Sequence, residues 1–210
     1  MKKLLVLLIS VAVATGAYAQ RPMGFGLKAG VNFPKYNFSG DNATFETNTT
    51  TNFHITGFLD APLANNFSIQ PGLSLQGKGA ELMSNSLGTL KQHTMYVEVP
   101  VNFVAKVPTG LSGNFFIGAG PYVGFGISGE NKFDSDWGAA NEEFEFGKDG
   151  TLKSTDFGLN FIAGFQLPGG FMIHGGYGLG LSDIRGSNND YFPNDKLTNR
   201  VWTIGLGFAL

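Results

Sequence analysis

The sequence predicts an all-β fold: an eight-stranded antiparallel up-and-down transmembrane β-barrel with short periplasmic turns and long extracellular loops. Three observations predict it. Eight segments alternate apolar and polar residues with period two. The connections between them alternate long and short, and each short one contains a proline. The composition joins 31 glycines and 20 phenylalanines with 14% charged residues and no cysteine. That mix fits neither a disordered chain nor a disulfide scaffold.

The clearest segment is residues 95–128. One face of its first arm carries Met95, Val97, Val99, Val101, Phe103, Ala105 and Val107, the other Tyr96, Glu98, Pro100, Asn102 and Lys106. The second arm sets Phe115, Ile117, Ala119, Val123 and Phe125 against Asn114, Gly118, Gly120, Tyr122 and Gly124. Both arms exceed the usual globular strand and reach the roughly 9–11 residues that a tilted strand needs to cross a bilayer. The first strand, residues 24–36, puts Phe25, Leu27, Val31 and Phe33 opposite Gly26, Lys28, Gly30 and Asn32. Residues 37–50 read as a polar loop. Strand two, 51–61, alternates Phe53, Ile55 and Leu59 with His54, Thr56, Phe58 and Asp60, and 62–66 form a turn. Strand three, 67–79, opposes Phe67, Ile69, Leu73 and Leu75 to Ser68, Gln70, Ser74, Gln76 and Lys78. A second polar loop, 80–93, leads to the hairpin, whose turn is 108–113.

The longest loop, 129–154, holds seven acidic residues against three lysines, with Trp137. Strand six, 155–167, opposes Phe157, Leu159, Phe161 and Phe165 to Asp156, Gly158, Asn160, Gly164 and Gln166; residues 168–170 turn the chain. Strand seven, 171–181, opposes Phe171, Ile173, Tyr177 and Leu179 to His174, Gly176, Gly178 and Gly180. After a fourth loop, 182–197, the last strand alternates Trp202, Ile204, Leu206 and Phe208 with Val201, Thr203, Gly205 and Gly207. Aromatic residues gather near both ends of the strands, as two interfacial girdles would require. A soluble sandwich or lipocalin-like barrel is the alternative, but the glycine-rich, weakly charged polar face suits a cramped lumen better than a solvated surface.

The amino terminus reads as an export signal over residues 1–19: Lys2 and Lys3, an apolar run from Leu4 to Ala14, then Ala17-Tyr18-Ala19. Residues 20–210 then form the barrel domain. Without the two signal lysines, 12 basic residues face 16 acidic ones, a net charge of −4. This balance argues against nucleic acid as a partner.

Tyr96-Val97-Glu98-Val99-Pro100-Val101, Phe116-Ile117-Gly118-Ala119-Gly120-Pro121-Tyr122-Val123-Gly124, Asp156-Phe157-Gly158-Leu159-Asn160 and Trp202-Thr203-Ile204-Gly205-Leu206-Gly207-Phe208 resemble the PorT-family outer-membrane barrels common in Bacteroidetes. Gly26-Leu27-Lys28-Ala29-Gly30-Val31-Asn32 is similar to that family's opening strand. The resemblance implies an eight-stranded outer-membrane barrel inserted by the barrel-assembly machinery. It also implies that some members serve type IX secretion while most have no assigned activity. The carboxyl end is similar to an insertion signal but finishes on Leu210 instead of an aromatic residue.

The inward faces carry Lys28, Lys78 and Lys106 against Asp60, Glu98 and Asp156, a polar cluster read as structural, since groups crowding a small lumen must satisfy one another or trapped water. A narrow ion path is the rival reading. For catalysis, His54, His93 and His174 are candidate bases and Ser84, Ser86, Ser128 and Ser182 candidate nucleophiles, but their spacing builds no triad. Asp134, Asp136, Glu142, Glu143, Glu145 and Asp149 lack the ordered spacing of a calcium loop. The expected role is a non-enzymatic structural or interaction module without cofactor or metal, with outer-membrane lipid and lipopolysaccharide, the barrel-assembly machinery and secretion-system proteins as partners.

Overall fold

The computed structural model describes residues 23–39, 44–86, 88–135, 138–147, 150–186 and 196–210. The proposed signal segment, Asp136, Trp137 and Asp149 lie outside these residues. Ten strands form in chain order: β1 (Gly24–Ser39), β2 (Thr44–Glu46), β3 (Asn52–Ala64), β4 (Phe67–Asn85), β5 (Gly88–Pro108), β6 (Asn114–Ser135), β7 (Gly138–Phe144), β8 (Thr155–Gln166), β9 (Phe171–Gly180) and β10 (Lys196–Ala209). Eight of them, all but β2 and β7, pair antiparallel with their neighbours in sequence order, and β10 closes on β1 from Gly26↔Ala209 to Ser39↔Lys196. The result is an up-and-down barrel. Closure pairs the backbone groups that an open sheet would leave unpaired in lipid, at several kcal/mol for each such group.

The apolar face points outward. Phe25, Phe67, Leu73, Phe103, Ile117, Ile127, Phe157, Ile173, Trp202 and Ile204 are exposed, each on the face that the alternation assigns to lipid. The outward aromatics sort by register. Phe115 lies opposite Phe165 and Phe171 opposite Phe208 near the short turns, while Phe33 lies opposite Trp202 near the loops.

The loop end differs from the sequence reading. Residues 80–85 and 88–93 are strand, not loop: β4 and β5 continue through them, paired as far as Asn85↔Gly88. Likewise β6 runs on to Ser135, and β7 folds back on it from Gly129↔Phe144 to Ser135↔Gly138. Together β4, β5, β6 and β7 project from one side of the barrel as a blade. Over residues 81–85 and 88–91 neither face is fully buried, so the apolar–polar contrast that marks strands in a bilayer fades. At the other end β3 extends to Ala64 with an irregularity between Pro62 and Ala64, which narrows the turn to Asn65 and Asn66. A further shift between Met95 and Tyr96, pairing with Ser128 and Gly126, leaves Ile127 as an extra residue and re-aims the β6 side chains beyond it.

Inside, large side chains sit directly across from glycines. Gly26 faces Phe58 and Gly30 faces His54 across β1–β3; Gly158 faces Tyr122 and Gly164 faces Phe116 across β6–β8. Gly205 faces His174 and Gly207 faces Met172 across β9–β10. A Cβ on Gly26 would stand 2.2 Å from the Phe58 ring, and one on Gly164 2.6 Å from the Phe116 ring. The narrow ring thus admits a bulky group on one strand only where its neighbour has none.

The lumen is not polar throughout. Phe58, Val104, Phe116, Met172 and Ala209, with Ile162 against them, form an apolar layer near the short turns. Val104, Phe116, Ile162 and Met172 are additions to the inward faces as read from the sequence. A second apolar cluster caps the loop end, built from Tyr36, Phe38, Ala80, Leu152, Ile184 and Leu197 with Phe144 and Phe146.

The glycine rule is directly testable. A Cβ at Gly158 would lie 2.2 Å from the Leu179 carbonyl oxygen and 2.8 Å from the Tyr122 ring, whereas one at outward-facing Gly57 would meet nothing within 4 Å. Gly158→Val is therefore expected to destabilise the barrel by about 3 kcal/mol. Gly57→Ala should stay within about 0.5 kcal/mol of the parent. Urea unfolding in detergent micelles measures both.

Candidate functional site

Strand alternation delivers the six charged residues of the lumen from different strands: Lys28 from β1, Asp60 from β3, Lys78 from β4, Glu98 and Lys106 from β5, and Asp156 from β8. They do not form three equal pairs. Lys78, 3% exposed, places its Nζ 2.5 Å from Glu98 Oε1 and 2.8 Å from Asp156 Oδ2. The rings of Tyr122 and Tyr96 flank the ammonium with centroids at 4.5 and 5.1 Å, the distance of cation–π contact. Asp156 is fully buried and saturated, accepting also from Ser182 Oγ at 2.7 Å, Asn199 Nδ2 at 2.8 Å and Tyr122 Oη at 3.2 Å. One lysine thus ties β4, β5, β6, β8 and β10 together across the lumen.

Lower down, Lys106 pairs with Asp60, to which Gln70 Nε2 also donates at 3.3 Å. Lys28 is buried with its Nζ 4.2 Å above the centre of the Phe58 ring and has no carboxylate at ion-pair distance among the described residues. Between the charged layers, Asn32 gives its Nδ2 to Gln76 Oε1 and to the Gly77 carbonyl, both at 2.9 Å. Its Oδ1 is therefore the acceptor for His54 Nδ1–H at 2.7 Å. His174 sits beside His54 with ring centroids 5.5 Å apart. A cavity of about 70 Å³ lies among Lys28, His54, Glu98, Asn102 and His174. It has room for water, and the two apolar layers bound it along the barrel axis.

The candidate catalytic groups are scattered. Ser182 donates to Asp156 and the Phe157 carbonyl, and none of Ser84, Ser86, Ser128 and Ser182 donates to a histidine. His93 lies on the blade, opposite Glu130. The acidic residues of the third loop are spread along a ladder: Glu142 faces Asn131, Glu143 faces Glu130, and Asp134 faces Ala139. Among the described residues, no three potential metal ligands gather.

A family model described as "Outer membrane protein beta-barrel domain" matches residues 18–186. The chain belongs to that family. Solved structures to which this outer-membrane barrel is similar include Ail, the attachment invasion locus protein of Yersinia pestis, at 13% identity and a TM-score of 0.42 over 88% of this chain and 98% of that one. Neisserial surface protein A matches at 10% identity and a TM-score of 0.43 over 90% and 99% of the two chains. The N-terminal barrel domain of Pseudomonas aeruginosa OprF matches at 10% identity and 0.37 over 88% and 99%. A comparison with curated proteins returns no match.

In the outer-membrane family the strands lie in the bilayer with the short turns toward the periplasm, so the blade and the apolar cap stand on the outer side. The cap is braced by Asp183, outside the membrane-spanning strands. It receives the Leu197 N–H at 3.0 Å and the Arg185 N–H at 3.2 Å, and it pairs with Lys153 at 3.0 Å. Partial burial pushes this carboxyl up, but the three donors outweigh it and hold it below the ordinary value of 3.8.

Lys78→Met leaves two buried carboxylates without their cation and should cost about 3–5 kcal/mol in urea unfolding. Adding Glu98→Gln and Asp156→Asn should restore most of that loss. For Asp183 the depressed value means that its bracing is complete above pH 3.8 and is lost as pH falls through the lower folded-state value. Pepsin cleavage within residues 181–186, measured relative to Asp183→Asn, should converge with the variant's rate as pH drops below 3.8.

Proposed function

We propose that this outer-membrane barrel is a non-enzymatic structural and interaction module whose working surface is the external blade. The observation that carries this reading is the contrast between the two ends of the chain's interior and its outside. Among the described residues the lumen is crossed by the Lys78–Glu98–Asp156 network and bounded by apolar layers, which supports a closed interior over a continuous wet path. The blade, by contrast, ends in β7, which pairs with β6 alone among the described strands. Its outer edge presents free backbone groups beside exposed Glu142 and Glu143. In this reading residues 1–19 are an export signal, the barrel-assembly machinery inserts the mature chain, and lipopolysaccharide surrounds the blade.

The likeness of the strand motifs to PorT-family barrels supports a second reading, an accessory of type IX secretion. In-cell crosslinking from position 142 on the blade, followed by mass spectrometry, tests the first reading, and a specific surface or extracellular partner is its expected outcome. Crosslinks confined to periplasmic secretion components, from positions in the short turns, would favour the second. In planar bilayers the purified barrel should show no steady single-channel openings; regular openings would overturn the closed-lumen argument.

A further inference from the structure

On the lipid-facing side of the closing seam, two cations stand directly opposite each other. Lys35 of β1 pairs in register with Arg200 of β10. Both side chains share the outward face of Phe33 and Trp202, which form the adjacent outward pair two residues nearer the membrane centre. The cations therefore lie about 7 Å further along the strands than this aromatic pair, at headgroup height on the loop side. Like charges placed opposite each other across a strand pair repel. Only one is answered from within the chain: Lys35 pairs with Glu46 at 2.5 Å. Arg200 spends Nη1 on the carbonyls of Gly180 at 2.7 Å and Asn199 at 3.0 Å and has no carboxylate at ion-pair distance among the described residues. The remaining donors of its guanidinium are left for an anion.

At Trp202, the next outward residue of β10, begins an apolar groove of about 680 Å³ that runs across β9, β8, β6 and β5 to Phe67. Trp202 and Tyr177, with ring centroids 4.7 Å apart, flank its upper end, and Ala105, Ala119, Ala163 and Gly175 leave its floor low. The groove opens onto the bilayer between the two aromatic girdles, where the neighbouring molecules are acyl chains.

We propose that this seam binds one phosphorylated glycolipid of the outer leaflet, with the phosphate between Arg200 and Lys35 and one acyl chain in the groove beneath Trp202. The site deepens the lipid partnership proposed above and rests on the loops-outward orientation, not on the role of the blade. Charge complementarity selects the occupant: a second copy of this chain would bring the same two cations to the contact, and an uncharged lipid would leave Arg200 unanswered.

Native mass spectrometry of the full barrel in detergent micelles tests the site, with bisphosphorylated lipid A and the same lipid stripped of phosphate as probes. A single adduct is expected, about tenfold tighter for the phosphorylated form. Lys35→Gln combined with Arg200→Gln should remove that preference. Gly175→Phe, at a position where a Cβ meets only the Thr203 carbonyl oxygen at 3.6 Å, should weaken both lipids alike by filling the groove. Equal binding of the two lipids by the parent barrel overturns the phosphate site without reference to any variant. So does phosphatidylglycerol binding as tightly as lipid A, or a folded double variant that keeps the preference. Because heat-modifiable gel mobility reports folding and membrane fractionation reports location, loss of the lipid adduct from a folded barrel is distinguishable from failure of the outer-membrane reading.

Discussion

The pairing of β10 with β1 is the constraint from which the rest of the architecture follows. An antiparallel ring of eight strands has no edge to expose to lipid, and its diameter is fixed by the strand number and stagger. A ring this small leaves room for about one layer of side chains across its bore. Each inward position is therefore decided by its neighbour across the ladder, which explains why so many of the 31 glycines fall opposite a ring or a long side chain. The high glycine content is a packing solution, not a sign of flexibility.

The same crowding governs the charges. With little water available, a buried lysine or carboxylate needs a partner of opposite sign or a polarisable face. Lys78 takes two carboxylates, Lys106 takes one, and Lys28 lies on the Phe58 ring. The arrangement is asymmetric because position, not number, decides who meets whom. Lys78 and Asp156 lie on strands from different parts of the ring and meet across the bore, so their ion pair acts as a strut. By contrast, Lys35 and Glu46 are neighbours at the surface, where solvent screens the interaction and its contribution to stability is small.

Much of this was legible in the sequence, for a physical reason. A bilayer imposes a sharp contrast between the two faces of each strand, so Phe103, Ile117 and Ile204 declare themselves outward by alternation alone. That contrast vanishes where neither face is buried, and residues 80–93 consequently resemble a loop although 80–85 and 88–93 are paired strand. The extra residue on β6, Ile127, is invisible for a related reason: a single change of parity has no signature when the residues beyond it are polar on both sides. Within the site, the six charged residues could be placed on the inward face, but their partners could not, because pairing depends on stagger between strands. Phe116, Met172 and Ile162 were missed as inward residues although a signal existed. Phe116 and Met172 are large apolar residues on an otherwise polar face, each facing a glycine once the strands are aligned.

Inside and outside thus answer opposite demands at the same seam. Toward the bore, Gly30 and Gly205 vacate the space that His54 and His174 fill, and Asn32 Oδ1 accepts the His54 Nδ1–H. Toward the lipid, Phe33 and Trp202 anchor the girdle while Lys35 and Arg200 extend past it with one carboxylate between them. If outward charges existed only to keep the loop end solvated, their signs could be mixed freely and cross-strand opposition avoided. Two cations opposite each other at the strand pair that must close the barrel share the single carboxylate of Glu46, so a second negative charge from outside the chain relieves their remaining repulsion. The outer leaflet is the nearest source, and an anion there would draw β1 and β10 together at the one ladder on which closure depends.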